Sequence, residues 1–451
     1  MSSLFVKIFA KNYNLSWHHV CVFVLTYFSY AFFRANRRAI TNDCKNTLNE
    51  SLIFQSSKNF SETNEELIKF CEKLDTCFAF AYAIGLYISG IIGDRLNLRY
   101  MLSFGMCGCA VTSLITEYID VKYKWKEFYY VLYSVNGLTH SIGWPVTVAI
   151  MGNWFSSGDI LYGTWGGNGS LGYIISSCIV KYSINYGYKK GLMLNSSLLF
   201  CGGVINIFCL TTHPYQVGLK ESNLPNVRNL ENEVLNKKAV EFKKAIFLPG
   251  VRYYALTFSL VLLVDDVFFR SLSNNLSDNL KWIETKSNSL TSFYDYGSIT
   301  GGIVAGILSS LIGMRSPVIS SMLFLSILSI CLFYKQFSTS PEIIFFNGFL
   351  VGGLYNITST AISIDLSKHD QIRNKTQALA TVTGIIDGTG RFVTAVVRCV
   401  ILILNINLTM NEALYFLIFV SGFNCLWSFF ILYKDILNKI KTKLQFAYST
   451  I

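Results

Sequence analysis

Three arginines, Arg34, Arg37 and Arg38, close a hydrophobic run that begins at Trp17 and carries no other charge. Their i, i+3 and i+4 spacing sets all three on one face of a helix. Like charges on one face repel, and inside a membrane each also carries a desolvation cost of about 2.5 kcal/mol or more. A multivalent anion shared among them offsets both costs. Guanidinium suits phosphate because its planar fork donates two parallel hydrogen bonds. The alternative is that the three snorkel to lipid headgroups, since Arg37 lies about 30 Å of helix beyond Trp17, one hydrocarbon thickness.

Other ionisable groups also sit in apolar surroundings. Asp265 and Asp266 are adjacent carboxylates, candidates for proton coupling or a cation site, unless their helix end is shallow. His140, one turn before Trp144-Pro145, is either a proton or ligand group or a packed core histidine. Asp387 and Arg391 stand at i, i+4 and are expected to form an ion pair that lets the arginine persist within hydrocarbon. Asp94 and Arg95, with Arg99, are expected to hold a cytosolic loop rather than touch a ligand. No nucleophile–base or metal-ligand set shares a helix face, so neither covalent catalysis nor a metal or cofactor is expected.

The elements that must position these groups are legible in the composition. The chain has 451 residues, of which 52% are hydrophobic and only 14% charged, with a mean hydropathy of +0.40, which points away from a soluble protein. Apolar runs recur roughly over 17–40, 74–93, 100–117, 128–152, 160–184, 190–212, 250–271, 290–312, 317–336, 342–364, 377–404 and 411–433. They predict an all-α membrane protein of twelve transmembrane helices. The polar stretch 213–249 divides them into a half at 1–212 and a half at 250–451. Gly90-Ile91-Ile92-Gly93-Asp94 with Arg99 matches Gly306-Ile307-Leu308-Ser309-Ser310 with Arg315, in the second span of each half, which suggests a repeat and pseudo-symmetric six-helix bundles. The net charge of +11 reads as cytosolic loops facing anionic lipid rather than as a nucleic-acid surface. Asn49 and Asn59 are glycosylation sequons in the first polar loop, where a Cys44–Cys71 disulfide is also open.

GLYISGIIGDRLNLRYMLSFGM (85–106), GLTHSIGWPVTVAIMGNWF (137–155), GGLYNITSTAISIDL (352–366) and QALATVTGIIDGTG (377–390) resemble the motifs of the major facilitator superfamily. In particular the chain is similar to the eukaryotic sugar-phosphate exchangers, related to the glycerol-3-phosphate and glucose-6-phosphate transporters. The resemblance implies an alternating-access carrier of an internal membrane, such as the endoplasmic reticulum, exchanging an organic phosphate for inorganic phosphate. It places Arg37 on the family's first-helix phosphate ligand, Arg38 beside it, Arg34 where relatives often have histidine and Tyr30 on a cavity-facing aromatic. Departures are equally specific. The seventh-helix cation is Leu262, His140 replaces a glutamine, Asn168 replaces a histidine, and Val397-Arg398 replaces a Gly-Pro. Half of the usual clamp is thus missing, and two roles stay open for Arg391: a structural partner of Asp387, the favoured one, or a replacement cation opposite Arg37. A proton-coupled carrier using His140 and Asp265-Asp266, and a transport-inactive receptor or scaffold, are the alternative readings.

The charge balance predicts that both termini and 213–249 are cytosolic and that 41–72 and 272–289 lie on the other side. Cysteine-accessibility mapping checks this; finding 213–249 and 41–72 on one side overturns it.

Overall fold

The computed structural model describes residues 16–53, 60–118, 126–155, 159–183, 188–219, 238–274, 284–336, 340–367, 376–404 and 410–449. Within them the helices follow the expected spans in order. They are α1 (Trp17–Ile53), α2 (Phe60–Gly93) and α3 (Leu98–Tyr118), then a fourth rod of α4 (Lys126–His140) and α5 (Gly143–Trp154). The fifth rod is α6 (Asp159–Gly166) with α7 (Asn168–Ser183), and α8 (Tyr188–Cys209) ends the first half. A short α9 (Phe242–Ile246) precedes α10 (Val251–Asn274), α11 (Glu284–Ile312) and α12 (Ser316–Gln336). The tenth rod combines α13 (Pro341–Asn347), α14 (Gly353–Ile357) and α15 (Ser363–Ser367). α16 (Leu379–Ile403) and α17 (Met410–Ser449) complete the chain. The protein is an all-α membrane protein, and among the described residues there is one two-residue parallel bridge, Lys238–Ala239 beside Thr376–Gln377, next to α16.

Seven helical segments among the described residues are long and apolar enough to cross a membrane unaided. The other expected spans fall short for two physical reasons. α1, α10 and α16 carry charged and polar residues inward, and the fourth and fifth rods are broken at 141–142 and at Gly167. Apolar side chains point outward instead: Phe208 is 78% exposed, and Phe419 and Leu426 are each 73% exposed, a surface suited to lipid.

The first polar loop differs from expectation. Helix α1 continues to Ile53 and α2 starts at Phe60, so much of 41–72 is helical. Cys71 is a buried free thiol. Asn49, Asn59 and Cys44 lie outside the residues whose side chains are described.

Small residues let backbones meet across the middle of the molecule. A Cβ on Gly90 of α2 would lie 3.2 Å from Cα of Gly384 in α16. A Cβ on Gly163 of α6 would lie 3.3 Å from Cα of Gly306 in α11. The repeated glycines Gly90 and Gly306 therefore each touch the fifth rod of the opposite half, the relation a pseudo-twofold axis produces. The tenth rod is widened into π-helix at Gly348–Gly352 and Thr358–Ile362, on either side of Tyr355 and Asn356. Such widening re-aims side chains and is common at functional sites.

Asp94 joins the two halves at one end. Its carboxylate accepts hydrogen bonds from the backbone N–H groups of Ala380 (3.0 Å) and Thr381 (2.8 Å), in the first turn of α16. Those donors have no partner within their own helix, and a negative charge suits that end of the helix dipole. Burial pushes the Asp94 carboxyl above its usual range, against the opposing pull of the Thr381 and Ala380 hydrogen bonds and of Arg95. Arg95 bonds back to the Ile91 carbonyl of its own helix, and the Arg99 N–H is held by the Asn97 side chain. Replacing Asp94 by alanine is expected to cost about 1–2 kcal/mol, so amide exchange at Ala380 and Thr381 should accelerate roughly 5–30-fold. Unchanged exchange in Asp94→Ala means that the junction is held by packing instead.

Candidate functional site

Helix α1 delivers its arginines to three different environments. Arg37 Nη2 donates to Asp75 Oδ1 at 2.6 Å, with its guanidinium 3.5 Å from the Phe78 ring centre. Arg38 reaches into the other half, to Asp295 at 3.4 Å and Thr291 Oγ1 at 3.1 Å. Both are therefore neutralised by a carboxylate. Arg34 is not: it donates to the Tyr173 hydroxyl and lies 4.6 Å over that ring, while its Nε has no partner among the described residues.

α16 supplies a second guanidinium of the same kind. Arg391 Nη2 donates to the Tyr355 hydroxyl at 2.8 Å, and the group lies 5.6 Å over the Tyr355 ring and 5.7 Å over that of Tyr82. Its Nε is likewise without a partner. Arg34 and Arg391 come from opposite halves and are close enough to repel one another. The expected Asp387–Arg391 ion pair is absent among the described ion pairs. Asp387 accepts instead from Ser359 Oγ at 3.3 Å, and its second oxygen is unpartnered. One turn of helix brings the two side chains within electrostatic reach, while Arg391 Nη2 is given to the Tyr355 hydroxyl. Asp387 and Asp265 lie within electrostatic reach of these two cations, and neither forms an ion pair with them among the described residues.

Aromatic groups form one wall of this centre. Tyr30, one turn before Arg34, packs 4.5 Å from Trp144, and Trp144 stacks at 5.5 Å on Trp165. Trp165 Nε1 donates to Thr26 Oγ1, which fixes the stack. The hydroxyls of Tyr30 and Tyr82 and the Trp144 N–H have no partner among the described residues. Asn168 opens α7 just after the break at Gly167, fully buried, with both amide atoms unpartnered. The next residue, Gly169, brings the backbone against Arg34: a Cβ there would sit 3.7 Å from Arg34 Nε.

The other expected groups are held elsewhere. Asp266 is bound by Arg398, whose Nε donates at 2.9 Å, and by Arg270 at 3.2 Å. Asp265 accepts from the Tyr294 hydroxyl. His140 stands in an aromatic box of Phe33, Phe78 and Tyr82, with Cys109 Sγ 3.6 Å from Nδ1. The coupling candidates thus share no hydrogen-bond partner, although all three lie within electrostatic reach of Arg391. Leu262 is buried, and its methyl would lie 3.3 Å from a Cβ on Gly390. The residue that follows Gly390 is Arg391, so the second cation enters from α16 beside the place left apolar on α10.

Sequence reasoning missed Tyr82, Tyr173 and Tyr355, which nothing distinguishes in a chain with 26 tyrosines. It also missed Asp75 and Asp295, which the rarity of carboxylates in apolar stretches does flag.

A sequence model of the Major Facilitator Superfamily matches residues 51–397. The chain belongs to that superfamily. It is 35% identical to the mouse protein named Sugar phosphate exchanger 3, over 95% of this chain and 96% of the relative. It is 30% identical to the Arabidopsis thaliana Putative glycerol-3-phosphate transporter 1, over 85% of this chain and 82% of the relative. It is 28% identical to the zebrafish (Danio rerio) Glucose-6-phosphate exchanger SLC37A2, over 96% and 95%. The chain is thus a member of a facilitator group whose named relatives handle organic phosphates.

The Arg37–Asp75 contact gives a test of its own. In thermal unfolding in detergent, Arg37→Ala and Asp75→Ala should each destabilise. The double variant should recover part of the loss, with a coupling of about 1–3 kcal/mol. Strict additivity refutes the pairing.

Proposed function

We propose that the protein carries phosphorylated sugars or related organic phosphates across an internal membrane, in exchange for inorganic phosphate. The observation that supports this most is the pair Arg34 and Arg391, one from each half, with neither guanidinium in an ion pair among the described residues. Two desolvated cations within electrostatic reach of each other are unfavourable, and a dianion bound by both offsets the repulsion. Phosphate fits, because each guanidinium has a free Nε–H to add to a forked contact. Tyr30, Tyr82 and Trp144 supply further donors and ring faces, and the Asn168 amide another polar contact.

The mechanism is rocking rather than covalent chemistry. A phosphate held by both halves lowers the energy of the state in which they close, and the empty carrier lacks that bond. Obligatory exchange follows, because the transition between open states is favourable only when the anion is aboard. Asp94 on α16 and Arg38 on Asp295 are contacts that join the halves, one at the end of α2 that meets the first turn of α16, the other between α1 and α11. We place the protein in the endoplasmic reticulum membrane, both termini cytosolic. We give the ligand role to Arg34 and Arg391 ahead of Arg37, the principal ligand expected from the sequence, because Arg37 is paired with Asp75.

Reconstituted vesicles preloaded with phosphate should take up labelled phosphate or glucose-6-phosphate. Arg34→Lys and Arg391→Lys keep the charge and lose the fork, so each should weaken uptake by about tenfold or more. Arg37→Lys should matter less than either. Acid-driven uptake without an internal anion supports a proton-coupled carrier instead. A well-folded protein that moves no anion supports a receptor or scaffold.

A further inference from the structure

The chain enters its second half through α9, a helical turn whose two faces differ. On the inner face Val240, Ala245 and Leu248 are buried and pack with Ala378 and Val382 at the start of α16. Phe242 meets the Tyr87 ring of α2 edge-on at 6.0 Å, so the turn is pinned against both halves. The outer face carries Lys243, Lys244 and Phe247, gathered by i, i+3 and i+4 spacing. The Phe247 N–H bonds the Lys243 carbonyl at 3.3 Å, which keeps that turn helical. All three side chains are exposed, Phe247 by 65%. Arg252, also exposed at the start of α10, lays its guanidinium 4.8 Å over the Phe247 ring.

The same edge continues onto α17. Lys434 Nζ lies 4.2 Å over the Tyr253 ring and donates to its hydroxyl at 3.2 Å. Tyr253 packs against Trp427 at 5.9 Å and Phe430 at 6.4 Å, and the Trp427 N–H donates to the Tyr253 carbonyl. Here α10 begins and the apolar membrane segment of α17, Asn411–Leu437, ends. Tyrosine and tryptophan beside lysine and arginine mark the boundary between hydrocarbon and headgroups. The neighbouring carboxylates are engaged: Glu241 with Lys244 at 3.2 Å, and Asp435 by the Tyr254 hydroxyl at 3.2 Å. Among the described ion pairs none takes Lys243, Arg252 or Lys434.

We infer that this surface binds anionic phospholipid headgroups of the leaflet beside α9. Charge complementarity selects the partner: Lys243, Lys244, Arg252 and Lys434 stand around an exposed ring that water solvates poorly. A lipid supplies both needs at once, phosphate for the cations and acyl chain just beneath it for Phe247. A soluble anion supplies only the first. On the topology expected from the charge balance this is the cytosolic leaflet, the anionic one.

The test uses the full chain, delipidated in detergent, with photoactivatable phosphatidylserine as the probe and matching phosphatidylcholine as the control. After irradiation and digestion, phosphatidylserine should label 242–252 and the stretch of α17 around Lys434, and phosphatidylcholine should not. Combining Lys243→Gln, Lys244→Gln, Arg252→Gln and Lys434→Gln should cut that labelling about tenfold or more. Combining Lys243→Arg, Lys244→Arg, Arg252→Lys and Lys434→Arg keeps every charge and should retain it. Equal labelling by the two lipids, undiminished labelling of the glutamine variant, or loss in the charge-keeping variant overturns the site. Displacement of the probe by inorganic phosphate or glucose-6-phosphate assigns the surface to a soluble anion and also overturns it. The readout involves no transport, so it stands or falls apart from the function proposed above.

Discussion

Charge inside hydrocarbon has to be compensated, and the way this chain compensates its arginines organises the middle of the molecule. Arg37 and Arg38 each meet a carboxylate, and Arg270 and Arg398 share Asp266. Arg34 and Arg391 meet phenol rings and hydroxyls instead. An aromatic face attracts a cation without carrying a charge of its own. Tyr173, Tyr355 and Tyr82 therefore make these two guanidiniums tolerable while leaving their charge available. A carboxylate in the same place would make a stable core and a poor anion site.

The rest of the architecture serves to bring those two cations together and to let them separate. Glycine contacts between α2 and α16 and between α6 and α11 allow the halves to approach to backbone distance. Such flat, small-residue surfaces slide or part without leaving large cavities. The charged contacts between the halves include Asp94 on the first turn of α16 and Arg38 on Asp295, with the neutral Tyr87–Thr389 contact along the α2–α16 seam. Each uses groups that water can satisfy when the contact opens, so opening costs little. Breaks in the fourth and fifth rods and π-widening in the tenth sit beside the aromatic wall and Tyr355, where regular helix would aim these side chains elsewhere.

Much of this is legible in single residues. Hydropathy runs locate the helical rods because lipid requires every span to satisfy its own backbone hydrogen bonds. The arginine spacing on α1 marks the face that turns inward. The match between Gly90 and Gly306 anticipates the paired glycine seams, since a repeated packing problem is solved with the same small residue. Where the reading failed, it failed on choices among near neighbours. Periodicity puts Arg34, Arg37 and Arg38 on one face but is blind to Asp75, which lies on another helix and claims Arg37. The i, i+4 rule brings Asp387 and Arg391 within reach, and it is blind to Tyr355, on another helix, whose hydroxyl accepts from Arg391 Nη2.

By itself, then, the sequence determined the class of the protein, the order of its spans, and the presence of arginines within apolar stretches for which an anion is one form of compensation. These depend on local composition and spacing, which act within a turn or two of helix. Which cations remain uncompensated was decided only by the tertiary structure. That choice depends on side chains brought together from α1, α2, α7, α14 and α16, far apart in the chain. In a low-dielectric interior a single competing carboxylate or hydroxyl at 3 Å redirects a guanidinium, and no local pattern encodes where that competitor stands.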